Sequence, residues 1–183
     1  LGSTVLFADG AAAATFEVTN TADSGAGSLR DAVGQANAAG TDDVITFAPS
    51  VTGTITLTSG QLYVHNGGGL EIQGPGADQL TISGNNASRV VYTYSSPAGV
   101  PLLISGLTLT GGNATFGGAV VNLDQHLTIR DSVLSGNAAS TDGGAVWSDG
   151  FNSSLTIEAT EISGNTAQQG GGLYVPEVLK TIL

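Results

Sequence analysis

One phrase is written four times along this chain. SGNNAS occupies Ser83–Ser88, TGGNAT Thr110–Thr115, SGNAAS Ser135–Ser140 and SGNTAQ Ser163–Gln168; their asparagines, Asn85, Asn113, Asn137 and Asn165, are 28, 24 and 28 residues apart. A fixed period in the twenties is what a solenoid writes, one structural unit repeated and stacked. Two further phrases keep the period. GGAVVN starts at Gly117, GGAVWS at Gly143 and GGLYVP at Gly171, spaced 26 and 28, while LLI at Leu102 is followed by LTI at Leu127 and Leu155, spaced 25 and 28. The phrases always recur in the same order. Each unit therefore holds three short runs of Val, Ile, Leu and Thr between clusters of Gly, Asn and Ser, which is the pattern of strands bounded by turns. Three strands per unit with no helix between them predict a triangular β-coil. Leucine-rich repeats would need a helix on the second side or an LxxLxLxxN run, and helical repeats a sustained 3.6-residue period.

The N-terminal region differs. FEVTN at Phe16–Asn20 alternates like a strand, and SGAGSLRDAVGQANAAG then changes period. Ser28 fits an N-cap with Asp31 as its capping-box partner. Leu29, Ala32, Val33 and Ala36 share one helical face, and Gly40 is a C-terminal stop. The end of a solenoid is an apolar cross-section, so this helix is expected to cap it. The division that follows is an arm or processed leader remnant over 1–14, strand plus capping helix over 15–41, a β-helix of about five coils over 42–175 and a tail over 176–183. At about 4.8 Å per stacked strand the cylinder would be roughly 24 Å long. The opening LGSTVLFADGAAAATF reads either as the remnant of a signal peptide with an Ala-x-Ala-like end or as a mature strand. The missing initiator Met is expected of a processed chain or a fragment.

Composition narrows the function. Lys and Arg total 4 against 15 Asp and Glu, a formal net charge of −11. Nothing here neutralises a run of phosphates, so nucleic acid is excluded as a partner, and so is an anionic membrane held by a basic patch. No stretch approaches the roughly 20 apolar residues of a membrane span. There is no Cys, hence no disulfide, zinc thiolate or Cys nucleophile. An acidic, Lys-poor surface suits an exported protein and leaves room for surface calcium, although no EF-hand-like loop is present. No other cofactor is implied. Gly numbers 28 of 183, roughly twice the ordinary share of about 7%. It falls at the bends, where positive φ is needed.

FEVTNTADSGAGSLRDAVGQANA, DDVITF, GTITLTSGQL and LEIQGPGADQLTISGNNASRV together resemble the opening of bacterial secreted right-handed parallel β-helix proteins with a pectate-lyase-like fold. The Gly-Gly-Ala-Val and Ser-Gly-Asn phrases resemble the repeats of polymorphic outer-membrane proteins, which display β-helical passengers at the cell surface. Where those repeats carry the Phe of a Phe-x-x-Asn word, Leu134 and Ile162 stand here. The resemblance covers about Thr15 to Val175. It implies an all-β, right-handed parallel β-helix, bacterial-type export, and a place on adhesin-like or surface-anchored chains.

Residue by residue, the chemistry is sparse. Asn85, Asn113, Asn137 and Asn165 are expected to stack as one structural ladder, since an Asn side chain both donates and accepts and tolerates a left-handed bend. Their alternative is ligand binding at Asn113 or Asn137. A lyase on this scaffold would need a cationic base, and the candidates are Arg30, Arg89, Arg130 and Lys180. Arg130 is the best placed: LTIRDS and LTIEAT put Glu158 over it, with Asp131 beside it, all pointing outward. The plainer reading is an exposed cross-strand pair worth about 0.2–1 kcal/mol. Tyr63, Tyr92, Tyr94, Trp147 and Tyr174 are the rings able to stack on sugar beyond Phe, so Arg130, Asp131, Glu158 and Trp147 form a candidate polar or carbohydrate site. His65 and His126 are out of register for a metal pair. Thr54–Thr58 and Thr108–Thr110 are too few for an ice-binding array. Ser3, Thr4, Val5, Leu6 and Phe7 form an apolar strand with no repeat partner, suited to pairing head-to-tail with another copy. The expected function is a non-catalytic structural or adhesin-like surface module, assembling in that way, with glycans or neighbouring surfaces as partners. The alternative is a polysaccharide lyase, glycosidase-like enzyme or carbohydrate-binding module on the same scaffold.

Overall fold

The computed structural model describes residues 12–95 and 98–176. Strand β1 (Thr15–Val18) and helix α1 (Leu29–Ala39) precede five coils. The first coil is β2 (Asp43–Phe47), β3 (Gly53–Thr56) and β4 (Leu62–Val64), and the second β5 (Leu70–Gln73), β6 (Leu80–Ser83) and β7 (Val91–Tyr94). In the third coil β8 (Val100–Ser105), β9 (Thr108–Thr110) and β11 (Val120–Leu123) are joined by a corner strand, β10 (Asn113–Phe116). The fourth repeats this with β12 (Gln125–Arg130), β13 (Val133–Ser135), corner strand β14 (Ala138–Asp142) and β15 (Val146–Asp149), and the last holds β16 (Ser154–Glu158), β17 (Glu161–Ser163) and β18 (Leu173–Tyr174). All pairings are parallel, each strand bonding to its equivalent in the next coil. The result is a right-handed parallel β-helix with three long sheets: β1-β2-β5-β8-β12-β16, β3-β6-β9-β13-β17 and β4-β7-β11-β15-β18. β1 adds a sixth rung to the first sheet.

Stacking turns sequence period into columns of like residues. Ile45, Ile72, Ile104, Ile129 and Ile157 line up inside the first sheet. Ile55, Ile82, Leu109, Leu134 and Ile162 do the same inside the second. Four of the five in each column are at most 3% exposed. Burying each such side chain contributes about 1.5–3 kcal/mol. β-Branched Ile suits the role because its stiff side chain packs flat against the copy one rung away.

The third sheet departs inside. Its second inward column runs from Val64 to Thr93, Asn122 and Ser148, all wholly buried. These polar groups are held in part by one another, while Asn122 Oδ1 and Gln125 Nε2 are buried without a hydrogen-bond partner among the described residues. Asn122 Nδ2 donates to Ser148 Oγ at 2.9 Å and to the carbonyls of Gln125 and Ser154 at 3.2 Å, and the Thr93 hydroxyl donates to the Gln125 side-chain oxygen.

The helix closes the N-terminal end as its sequence requires. Ser28 Oγ accepts from Asp31 N at 3.1 Å, Gly40 ends the helix at φ 64°, and Leu29, Ala32, Val33 and Ala36 are its buried face. Asp31 closes the cap one residue early, accepting from Gly27 N at 3.2 Å. The polar side chains satisfy the coil edge. Asn37 Nδ2 donates to Tyr63 O (2.8 Å) while its Oδ1 accepts from His65 N (3.0 Å), which copies the two bonds a neighbouring strand would make to β4. Arg30 donates to the carbonyls of Gly60 (2.6 Å) and Gln61 (2.8 Å) and is held at 2.7 Å by Asp23, whose other oxygen accepts from Ser59 N and Thr58 Oγ1. An edge finished in this way no longer templates strand addition.

Two registers differ by one residue from those the phrases suggest. Thr110 pairs with Ser135 and Asn113 with Ala138, so Gly112, not Asn113, lies beside Asn137. Val146 pairs with Leu173 and Trp147 with Tyr174, so the last GG phrase begins at Gly170 rather than Gly171. Both slips fall at glycine runs, where a phrase can be aligned in two ways. Backbone geometry settles the second: Gly117, Gly143 and Gly170 occupy equivalent bends at φ 55°, 67° and 59°. A side chain there would be strained, and at Gly143 a Cβ would sit 2.4 Å from Val146 O.

Candidate functional site

The asparagines resolve into a shorter ladder than expected. Asn137, 1% exposed, accepts from Gly112 N through Oδ1 (2.9 Å) and donates through Nδ2 to Leu109 O (3.0 Å), Ser135 O (3.2 Å) and Asn165 Oδ1 (2.9 Å). Asn165 also accepts from Asn137 N and donates to Leu134 O. Asn113 falls outside this ladder; it is exposed and reaches Asn86 O at 3.1 Å. Asn85 is exposed and left-handed at φ 57°. In the two later copies the glycine before the asparagine takes the bend instead, Gly136 at 63° and Gly164 at 61°. These contacts satisfy turn backbone, a structural task.

Arg130 and Glu158 are register partners on the first sheet, and both are exposed. The ion pair that Arg130 makes among the described residues is with Asp131, at 3.3 Å and with side chains 47% and 62% exposed. Trp147 does not join them: it lies within β15 on the third sheet, so the four residues do not form one site. A shallow cavity of about 270 Å³ opens on the first sheet, where Asp42, Glu71, Pro101, Leu103, His126 and Thr128 line it. Asp42 is engaged there by Gly69 N at 2.6 Å, and His126 Nδ1 lies 2.8 Å from Ser154 Oγ. The described residues hold no group of three or more His, Cys, Asp or Glu able to take a metal. Ser3–Phe7 lie outside the described residues.

The outer face of the third sheet is the most differentiated surface. Along these strands buried aliphatic or small residues alternate with outward rings: Leu62-Tyr63-Val64, Val91-Tyr92-Thr93-Tyr94, Val146-Trp147-Ser148. Because the strands are parallel and in register, the rings form a column. Tyr63 stands beside Tyr92, Tyr92 beside Val121, Val121 beside Trp147 and Trp147 beside Tyr174. The third coil, which puts Val121 in the column, supplies Phe116 from its corner strand; the Phe116 and Trp147 rings are 5.4 Å apart. Val121 is only 3% exposed, so its neighbours close over it. Every coil thus gives one ring to this stripe. A second column begins with His65 and Tyr94, stacked at 5.8 Å, and continues through Leu123 to Asp149. All four tyrosines and the single tryptophan of the chain lie here. Tyr63, Tyr94 and Phe116 are 55%, 42% and 37% exposed.

Arg89 pins the stripe. Its guanidinium lies 5.5 Å from the centre of the Tyr92 ring, donates to Gln61 Oε1 at 2.6 Å in the first coil, and donates to the carbonyls of Phe116 (2.7 and 3.1 Å) and Gly117 (2.9 Å) in the third. Burial lowers the Arg89 pKa from its ordinary value, and the Tyr92 and Tyr63 phenols oppose that shift. Tyr63 and Tyr92 pack tilted at 5.7 Å, and Tyr92 and Tyr94 edge-on at 6.2 Å. The arrangement is a rigid, ridged aromatic surface that presents ring faces and phenol hydroxyls together.

From the sequence the five Tyr and Trp rings are named but not placed together, Arg89 is weighed only as a lyase base, and Phe116 is missed. The signal was present: LYV, VYT, VWS and the final LYV each put a ring second in the third run of a coil. Comparison of the chain with protein-family models, with curated proteins and with solved structures gives no match.

Proposed function

We propose that this chain is a non-catalytic, exported β-helix module of the adhesin-like, cell-surface kind, related to the secreted pectate-lyase-like β-helices and outer-membrane repeats that its phrases resemble. It acts by holding glycan on the outer face of its third sheet. One observation carries the reading: every Tyr and Trp of a chain with 5% aromatic residues lies on that face. Core packing does not call for this, since the interior columns are aliphatic or, in the second column of the third sheet, small and polar. Half-exposed rings carry a desolvation benefit realised when a flat, partly apolar partner covers them, and a sugar ring is such a partner. Binding is favoured over cleavage by where the carboxylates stand. A hydrolase sets two carboxyl groups across the scissile bond, about 5 to 9.5 Å apart. Asp149 and Asp124 stand next to each other at the same end of the third-sheet strands, on one side of the rings and not facing each other across them.

A glycan array probed with wild type and Trp147→Ala tests the reading, with thermal unfolding to verify the variant's fold. Retention of glycans by wild type and loss in the variant is expected. Binding by neither protein, or equal binding by both, would overturn it, and release of reducing sugar would favour an enzyme using the first-sheet cavity.

Head-to-tail assembly through Ser3–Phe7 is a second proposal. It is favoured by the capped edge of β4, which closes that end of the third sheet and directs an added strand to its β18 end. Deleting Leu1–Gly10 and measuring mass in solution tests it; monomers before and after deletion would refute it.

A further inference from the structure

We infer that the glycan held by the third sheet is an uncharged, extended polysaccharide lying along the axis of the β-helix. This rests on the binding role proposed above and adds the ligand's charge, length and direction.

Charge comes first. An acidic polysaccharide needs cations, and the chain carries 4 Lys and Arg against 15 Asp and Glu. Arg89 is the Arg at the aromatic face, and each of its three nitrogens already donates within the protein, to Gln61, Phe116 and Gly117, while Tyr92 covers its plane. Arg30 is consumed in the cap and Arg130 stands on the first sheet. Asp149, at the end of the second column, would repel a carboxylate or sulfate. A strongly basic polymer would instead be drawn to the whole acidic surface, with no preference for this face. The rings themselves select an uncharged partner with apolar faces.

Length and direction follow from the register. Tyr63, Tyr92, Phe116, Trp147 and Tyr174 come from five successive coils. At about 4.8 Å per rung, the stripe runs roughly 19 Å along the axis. Across the strands it is at most two rings wide, at Tyr92 and Tyr94. Both described cavities lie elsewhere, one on the first sheet and one beside the helix. Such a surface receives a chain laid lengthwise, not a sugar end inserted into a pocket. Tyr63 and Tyr174, at the two ends, are touched together only by a ligand that spans the stripe.

Isothermal titration with graded oligosaccharides tests this. The panel is neutral β-1,4-glucan and N-acetylglucosamine oligomers, oligogalacturonate, and deacetylated glucosamine oligomers. Affinity for a neutral series should rise with length until the chain spans the stripe, and should not change with added salt. Tyr63→Ala and Tyr174→Ala should each weaken long oligomers about tenfold or more while leaving the shortest binder nearly unaffected, because a short chain can sit wholly on the remaining rings. Both variants should melt close to wild type. Tighter, salt-sensitive binding of oligogalacturonate or deacetylated oligomers would overturn the charge assignment. Equal affinity for short and long neutral oligomers would overturn the lengthwise placement. Each of those results leaves a glycan-binding module standing; failure of every sugar to bind removes the binding role itself and this inference with it.

Discussion

Asn137 and Asn113 belong to two copies of one phrase, third in SGNAAS and fourth in TGGNAT; the fold uses them differently, and a pair of alanine variants measures the difference. Replacing Asn137 removes the acceptor for Gly112 N and the donors to Leu109 O, Ser135 O and Asn165 Oδ1. Each bond has a net worth of about 1 kcal/mol, and a buried donor left without a partner costs about 1–3 kcal/mol. Gly112 is buried, so its N–H cannot turn to water. The expected loss for Asn137→Ala is about 3 kcal/mol. Asn113 is exposed and makes one side-chain bond, to Asn86 O; water replaces it, and Asn113→Ala should cost no more than about 0.5 kcal/mol. Urea unfolding followed by far-UV circular dichroism reads both as midpoint shifts at constant slope. Asn137→Asp separates shape from chemistry: it keeps the volume but turns oxygens toward the Leu109 and Ser135 carbonyls, and should be at least as destabilising as alanine at neutral pH. If the two alanine variants fall within about 1 kcal/mol of each other, or Asn137→Asp is harmless, the ladder does not stabilise the fold as argued.

Three further outcomes are expected. Burial opposes ionisation of Asp23, but bonds from Arg30, Ser59 and Thr58 and the Arg30 charge outweigh it, lowering the pKa from 3.8 to about 2; because the folded value is the depressed one, the stabilisation is present above about pH 4 and lost as pH falls toward 2. Asp23→Asn should flatten that part of an acid-unfolding curve, and an unchanged curve would mean the latch is inert. Arg130→Ala should cost under about 1 kcal/mol in the same urea assay, since its pair with Asp131 is solvated; a loss above roughly 2 kcal/mol would reveal a buried network. Arg89→Ala strands the ring positions of three coils and should destabilise by about 1–3 kcal/mol. Arg89→Lys should recover only part of this, because an ammonium cannot reach Gln61, Phe116 and Gly117 together, and full recovery would show that charge alone matters.

Much of the molecule was legible before any coordinates. The helix, its Ser28 cap, its Gly40 stop and its buried face of Leu29, Ala32, Val33 and Ala36 lie where local rules put them, because capping and amphipathicity act within a few residues. The inward columns could be read from LLI and LTI, since strand alternation and coil period are both properties of the linear chain. What was not legible turns on single-residue offsets. Asn113 beside Asn137 and Gly171 beside Gly143 are reasonable alignments of the phrases, and both are wrong by one place. A run of two or three glycines gives no side chain with which to fix phase. A slip of one in a strand turns every side chain to the opposite face, so the error at Gly170–Gly172 hid Tyr174 from the face it shares with Trp147.

The amino-acid order by itself determined that the chain coils, how often, and which residues fill the coil, because repetition and alternation are one-dimensional facts that stacking merely copies upward. The tertiary structure alone decided which surface is special. Tyr63 and Tyr174 are separated by most of the β-helical sequence and become ends of one stripe only when successive strands hydrogen-bond in a particular register. Arg89 acquires its role only where a third coil brings the Phe116 and Gly117 carbonyls beside it. Side chains remote in sequence meet through rung-to-rung pairing, and the glycine bends, read by their backbone angles and not by their names, set the phase of that pairing.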